Sequence, residues 1–185
     1  IEVLTMELFK EQDRFFDEED NEKKLQIKNR IDALIDNIIR ARLSKDGNTE
    51  GIAKYEESLK QDSKPYFLWK LEFARVFKEK GGFDIIIGNP PYVQLSRKKD
   101  VSVKYKNFLR YRYKTSGGRL NLFIFMMHLG IEILNRKGTL AYIIPNTLLT
   151  QDYYKDTREL LLKSCTIKAI VDYQDMPFDK AVVEN

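Results

Sequence analysis

The chain has 185 residues, 43% hydrophobic and 32% charged, with nine glycines and five prolines. That is one domain's worth of chain, and its composition excludes broad disorder and low complexity. No apolar run approaches the ~18 residues of a membrane helix, no signal-peptide pattern opens the chain, and the single Cys165 excludes an internal disulfide or a cysteine-based zinc site. We therefore expect a cytoplasmic protein with no membrane partner and with Cys165 as a buried structural thiol. Ile1 in place of Met, and a close in mid-pattern at "DKAVVEN", lead us to expect a piece of a larger polypeptide.

Residues 1–62 carry 16 acidic and 11 basic side chains and read as helical. In "NEKKLQIKNRIDALIDNIIRARL", Leu25, Ile31, Leu34, Ile35, Ile38 and Ile39 fall at three- and four-residue spacings and make one apolar face. "KDGNTEG" breaks the pattern, and "IAKYEESLKQ" resumes it before Lys64-Pro65. The expectation is a helical hairpin over 1–64. Strict heptads are not sustained long enough for a coiled coil. Glu22-Lys23-Lys24 has an acid-x-lysine spacing but sits in this charged helix, where it reads as surface charge rather than a nuclease site.

From Pro65 the texture changes. "PYFLWKLEFARVF" is strongly aromatic, and "KEKGGFD" is a helix-ending turn. "FDIIIG" is a short apolar run rich in β-branched residues, which predicts a strand buried on both faces. Further on, "LNLFIFMMHLGIEILNRKG" predicts an apolar helix stopped by Asn-Arg-Lys-Gly, "TLAYIIP" a second strand, "DYYKDTRELLLKS" a helix capped by Asp152, and "TIKAIVDY" a third strand. Alternating strands and helices predict an α/β fold: a parallel sheet of three strands with crossover helices, preceded by the helical hairpin. His128, among Phe and Met in mid-helix, reads as a packing histidine.

Between Arg97 and Arg119 stand nine cations, Arg97, Lys98, Lys99, Lys104, Lys106, Arg110, Arg112, Lys114 and Arg119, against one acid, Asp100. Tyr105, Phe108, Tyr111 and Tyr113 are interleaved with them. This is either a phosphate-binding surface, where neutralised phosphates release counterions, or a solvated face that aids solubility.

The chemistry is concentrated at Asn89-Pro90-Pro91-Tyr92, directly after the first strand, where parallel sheets bind ligands. Pro91 holds Pro90 extended, both φ angles are fixed, and neither proline offers an N–H. The segment presents acceptors instead, the Asn89 side-chain carbonyl and the Pro90 backbone carbonyl, beside the aromatic plane of Tyr92. Two convergent acceptors suit an exocyclic amine with two protons to give, and the ring suits the flat group that carries it. The pattern points to a planar amine such as a nucleobase, or to a planar amide.

"FDIIIGNPPYV" resembles the catalytic motif of S-adenosylmethionine-dependent amino-methyltransferases, above all the DNA adenine-N6 methyltransferases. The flanks "PYFLWKLEFARVFKEKGG", "RLNLFIFMMHLGIEILNRKGTLAYIIPNTLL" and "IVDYQDMPFDKAVVEN" resemble the fused, type IIG-like restriction–modification methylases over about residues 65–185. The resemblance implies a partial Rossmann-like methyltransferase sheet, the catalytic half of the domain over 65–185, and residues 1–64 as an insertion. It implies double-stranded DNA and the rest of the parent polypeptide as partners, and an adenine flipped out of the duplex. Asn89 and the Pro90 carbonyl would take the amine, braced by Pro91, while Tyr92 and Phe178 contact the base. The cationic segment would follow the DNA backbone.

One part of the pattern is missing. The family binds S-adenosylmethionine at a glycine-rich turn after a strand, and upstream of Asn89 the glycines are Gly47, Gly51, Gly81, Gly82 and Gly88. "GNTEG" lies between helices and cannot be that turn. The main donor site is therefore expected outside this chain, no metal site is expected, and the chain alone is expected to be inactive. Two other readings stay open: a methyltransferase acting on an RNA base or a protein glutamine, and a non-catalytic binding or scaffold module. The DNA sequence recognised is not legible.

Overall fold

The computed structural model describes residues 1–61, 66–113 and 119–173. The chain forms two compact units, Ile1–Gly82 and Phe83–Asn185.

The first unit is helical. It comprises α1 (Glu2–Asp17), α2 (Asn21–Lys45), α3 (Thr49–Ser58) and the short α4 (Trp69–Glu72) and α5 (Ala74–Lys80). Asp20 starts α2 by accepting the Lys23 N–H at 2.9 Å, and Asn48 starts α3 by accepting that of Gly51 at 2.8 Å. Ile27, Ile31, Ile35 and Ile38 of α2 are buried with Leu8 of α1 and Ala74 of α5, and Leu34, Ile39 and Leu71 pack against them. This is the expected apolar face, moved slightly: Leu25 is exposed and Ile27 takes its place. Buried Gln12 donates from Nε2 to the carbonyls of Leu71 and Glu72, both at 2.9 Å, satisfying the end of α4 from α1. Arg75 pairs with Asp13 and Glu79. Glu22-Lys23-Lys24 falls in the first turns of α2 and is solvent-facing except for a half-buried Lys24.

α5 ends as its sequence predicts, at Gly81 in the left-handed region with φ 75°. The second unit then opens with β1 (Phe83–Gly88), followed by α6 (Val103–Arg112), α7 (Leu122–Ile133), β2 (Leu134–Tyr142), α8 (Thr147–Thr150) and α9 (Lys155–Ser164). β1 and β2 pair in parallel, with Ile85 opposite Thr139 and Gly88 opposite Tyr142. α7 is apolar on nearly every side because it is the spine of the unit. Phe123, Ile124 and Met127 join a core with Leu148 and Tyr154, while Phe125 joins a second one with Leu95, Leu109 and Leu120.

Four expectations are corrected. First, among the described residues the sheet has two strands, not three, and residues 166–173 form no strand. Lys168 donates to Thr139 Oγ1 of β2 at 3.0 Å, but Ile170, Val171 and Tyr173 are exposed, so no burial rewards a ladder there. Second, β1 is not buried on both faces: Ile85 is 69% and Ile87 76% exposed, and no described residue of this unit covers that side. Third, Asn135-Arg136-Lys137-Gly138 does not end α7. The helix stops at Ile133, Leu134 already pairs with Phe83, and these residues bulge before pairing resumes at Thr139. Asn135 stabilises the bulge by donating to Asp84 at 2.5 Å and accepting the Lys137 N–H at 2.8 Å. Fourth, Asp152 begins a short 3₁₀ turn instead of capping α9, whose N-cap is Tyr154.

Candidate active site

The motif is held at both ends. Where β1 ends, the Gly88 carbonyl accepts the Ile143 N–H at 3.1 Å, just beyond β2. The chain then turns through Asn89, which is exposed, Pro90, which is buried, and Pro91, which is exposed. Tyr92 brings it back: its hydroxyl donates to the Ile143 carbonyl at 2.9 Å. One peptide unit pair at Ile143 therefore ties the end of the strand to the tyrosine four residues on. Tyr92 is half-buried and meets Phe123 edge-on, with centroids 6.3 Å apart. Burial pushes its phenol above the ordinary range, which keeps it a neutral donor.

Beyond Tyr92 the backbone is clamped again. The Leu122 N–H donates to the Val93 carbonyl at 3.0 Å and the Leu95 N–H to the Leu120 carbonyl at 2.7 Å, around an antiparallel bridge of Gln94 with Asn121. Asn121 also caps α7. The loop is thus braced by β2 on one side and by the start of α7 on the other. Its one exposed polar side chain, Asn89, stands at the carboxyl end of a parallel strand.

The predicted cations divide into groups. Arg97, Lys98, Lys99, Lys104 and Arg110 are exposed. Lys106 is half-buried and donates to the Lys98 carbonyl at 2.7 Å, folding the segment before α6 back onto the helix. Arg112 pairs bidentately with Glu132 of α7 at 2.8 and 2.5 Å, and Arg119 lies over the Tyr153 ring at 4.6 Å. Lys114 and Phe178 lie outside the described residues. His128 sits among packed side chains as expected, yet with polar company: its Nδ1 is 3.3 Å from Glu132, and Tyr113 meets it edge-on at 5.0 Å. Cys165 is half-buried, and burial raises its thiol pKa, the opposite of an activated nucleophile.

Sequence reasoning missed Ile143 and Glu132. Ile143 acts through its backbone, which carries no residue signature. The i, i+4 spacing of His128 and Glu132 is readable, but the partner Arg112, 20 residues before Glu132, is not.

A site for S-adenosylmethionine does not fit the described residues. The left-handed glycines Gly47 and Gly81 follow helices, and no described strand runs into a glycine-rich turn. What is built here is a hydrogen-bonded loop at a strand end with Asn89 exposed on it.

Chains similar to this one are type II methyltransferases, some joined to a restriction enzyme. The type II methyltransferase M.BstVI of Geobacillus stearothermophilus is 29% identical over 118 residues, 63% of this chain and 20% of that protein. The putative type II restriction enzyme and methyltransferase RM.MjaORFECS2P of Methanocaldococcus jannaschii is 36% identical over 115 residues, 61% of this chain and 9% of that protein. RM.Eco57I of Escherichia coli, a type II restriction enzyme and methyltransferase, is 25% identical over 91 residues, 49% of this chain and 9% of that protein. The Eco57I restriction-modification methylase model matches residues 2–178, and the chain belongs to that family. It spans a fifth or less of the length of these relatives.

Proposed function

We propose that this chain is the acceptor side of a DNA adenine-N6 methyltransferase: it receives a flipped adenine and holds its amine for methylation. The observation that carries the reading is the exposed Asn89 at the end of a parallel strand, on a loop braced at Ile143, Leu120 and Leu122. A braced loop loses little freedom when it binds, so its acceptors act at little ordering cost.

Asn89 Oδ1 and the Pro90 carbonyl accept the two amine protons. With both protons so directed, the nitrogen lone pair is drawn out of conjugation with the ring and turned away from the acceptors. Tyr92 holds the base by its ring, a contact worth ~1–3 kcal/mol, and Phe178 supplies a second aromatic contact. Arg97, Lys98, Lys99, Lys104 and Arg110 lie along duplex DNA, and Lys114 is a further phosphate contact. Lys106, Arg112 and Arg119 shape that surface through the partners described above. The strand pair belongs to a Rossmann-like sheet completed elsewhere in the parent protein. S-Adenosylmethionine supplies the methyl group when bound there, and this chain alone is inactive.

Incubating the full-length protein with S-adenosylmethionine and duplex DNA, then digesting the DNA to nucleosides, tests the reading. N6-methyladenine is expected. Methyl groups on cytosine alone, or on RNA or protein in place of DNA, would overturn it.

A further inference from the structure

α6 leads away from the motif and carries a surface that phosphate contacts do not account for. Its core-facing side is already spent: Leu109 is 5% exposed among Leu95, Leu120 and Phe125, and Tyr113, just past the helix, lies 5.3 Å from Phe125. Elsewhere on the helix Tyr105, Phe108 and Tyr111 recur every third residue and are 49%, 55% and 87% exposed. The Tyr105 and Phe108 rings lie near-parallel, 24° apart with centroids 6.4 Å from each other. Residues at this spacing climb a helix by about 4.5 Å each. Exposed Lys104 and Arg110 stand on the same helix, and Arg97, Lys98 and Lys99 on the turn before it, with Asp100 the one acid from 97 to 112.

Resting on the DNA reading above, we propose that the Tyr105–Phe108–Tyr111 row is a stacking platform for unpaired bases of a single nucleic-acid strand, distinct from the place of the methylated base. The cations select a polyanion. The rings select within that class, because a duplex hides its base faces while a single strand offers one per nucleotide, about 3.4 Å apart when stacked and farther apart when drawn out. Aromatic rings stack on any base, so the platform is indifferent to sequence. Around an extruded adenine, the neighbouring unpaired bases are the natural occupants.

The test uses this chain and fluorescence anisotropy with two labelled probes, an oligodeoxythymidine and a duplex of equal length. Replacing all three rings (Y105A, F108A and Y111A together) leaves Leu109 in place, and circular dichroism checks the fold. This variant is expected to bind oligodeoxythymidine at least roughly thirtyfold more weakly, to bind duplex within about threefold of the original, and to keep the original salt slope. Replacing Lys104 and Arg110 by Ala is expected to weaken both probes and to flatten the slope. The proposal is overturned if the original chain does not bind oligodeoxythymidine, if the ring variant binds it equally well, or if single strand and duplex are lost alike. Ring-dependent capture by phosphatidylserine vesicles with no ring effect on oligodeoxythymidine would also overturn it. The outcomes separate from those of the methylation assay: ring-dependent binding without N6-methyladenine would sink the methyl-transfer reading and leave the platform standing.

Discussion

At the scale of single residues, Tyr92 has two jobs that can be taken apart. Its hydroxyl is tied to the Ile143 carbonyl and its ring packs beside Phe123, so the side chain braces the loop, while the proposed function gives its ring the second job of holding the base. Tyr92→Phe removes only the tie. Chemical denaturation of this chain should then show a loss of ~1 kcal/mol, the usual net worth of a hydrogen bond, while methylation by the full-length protein falls less than tenfold. Tyr92→Ala removes the stacking surface as well and should lower methylation much further. Equal loss of activity in both variants would place the hydroxyl in the chemistry and contradict the division. Asn89 differs in kind, since it is exposed, while Gly88 before it and Val93 beyond the diproline are held through their backbone carbonyls. The sequence made both residues visible because the diproline restricts its own geometry, whatever surrounds it. Ile143 was invisible because any residue supplies a carbonyl.

At the scale of elements, what was legible followed from local rules and what was not depended on distant partners. The α2 face, the Gly81 stop and the β1 strand follow from spacing and turn chemistry, and each is present. The length of β2 does not, because the turn signal Asn135-Arg136-Lys137-Gly138 is equally suited to ending a helix and to bulging from a strand. Asp84 decides for the bulge from across the ladder. The exposure of Ile85 and Ile87, and the missing ladder at 166–173, are likewise set by which neighbours are present, not by the residues of those segments. The packing of α7 on β2 turns on Gly130, where an added Cβ would meet the Tyr142 hydroxyl at 2.8 Å and Leu140 Cδ1 at 3.0 Å. Gly130→Ala should therefore destabilise the chain by ~1–3 kcal/mol despite the better helix propensity of alanine. Adding Tyr142→Phe, which removes one of the two obstructions, should restore part of that loss. A urea midpoint that rises in Gly130→Ala would show that the helix does not press on the strand there.

At the scale of the whole molecule, the two compact units divide the work of the sequence unevenly. The helical unit Ile1–Gly82 contains the acidic helices and the aromatic stretch from Tyr66, and the unit from Phe83 contains the motif and every exposed predicted cation. Family membership rests on a match that runs through both, over residues 2–178. The proposed function places acceptor and donor sites in different parts of a longer protein, so binding of DNA and transfer of the methyl group are separable properties. Removing the Asn89 amide should therefore affect the second and spare the first. The most direct test is single-turnover methylation of duplex DNA by the full-length protein carrying Asn89→Ala, with DNA affinity measured alongside. A fall in rate of at least about a hundredfold is expected, the scale of losing a preorganised hydrogen-bond partner at a reacting group, with affinity for DNA within about threefold. Methylation at the original rate would contradict it.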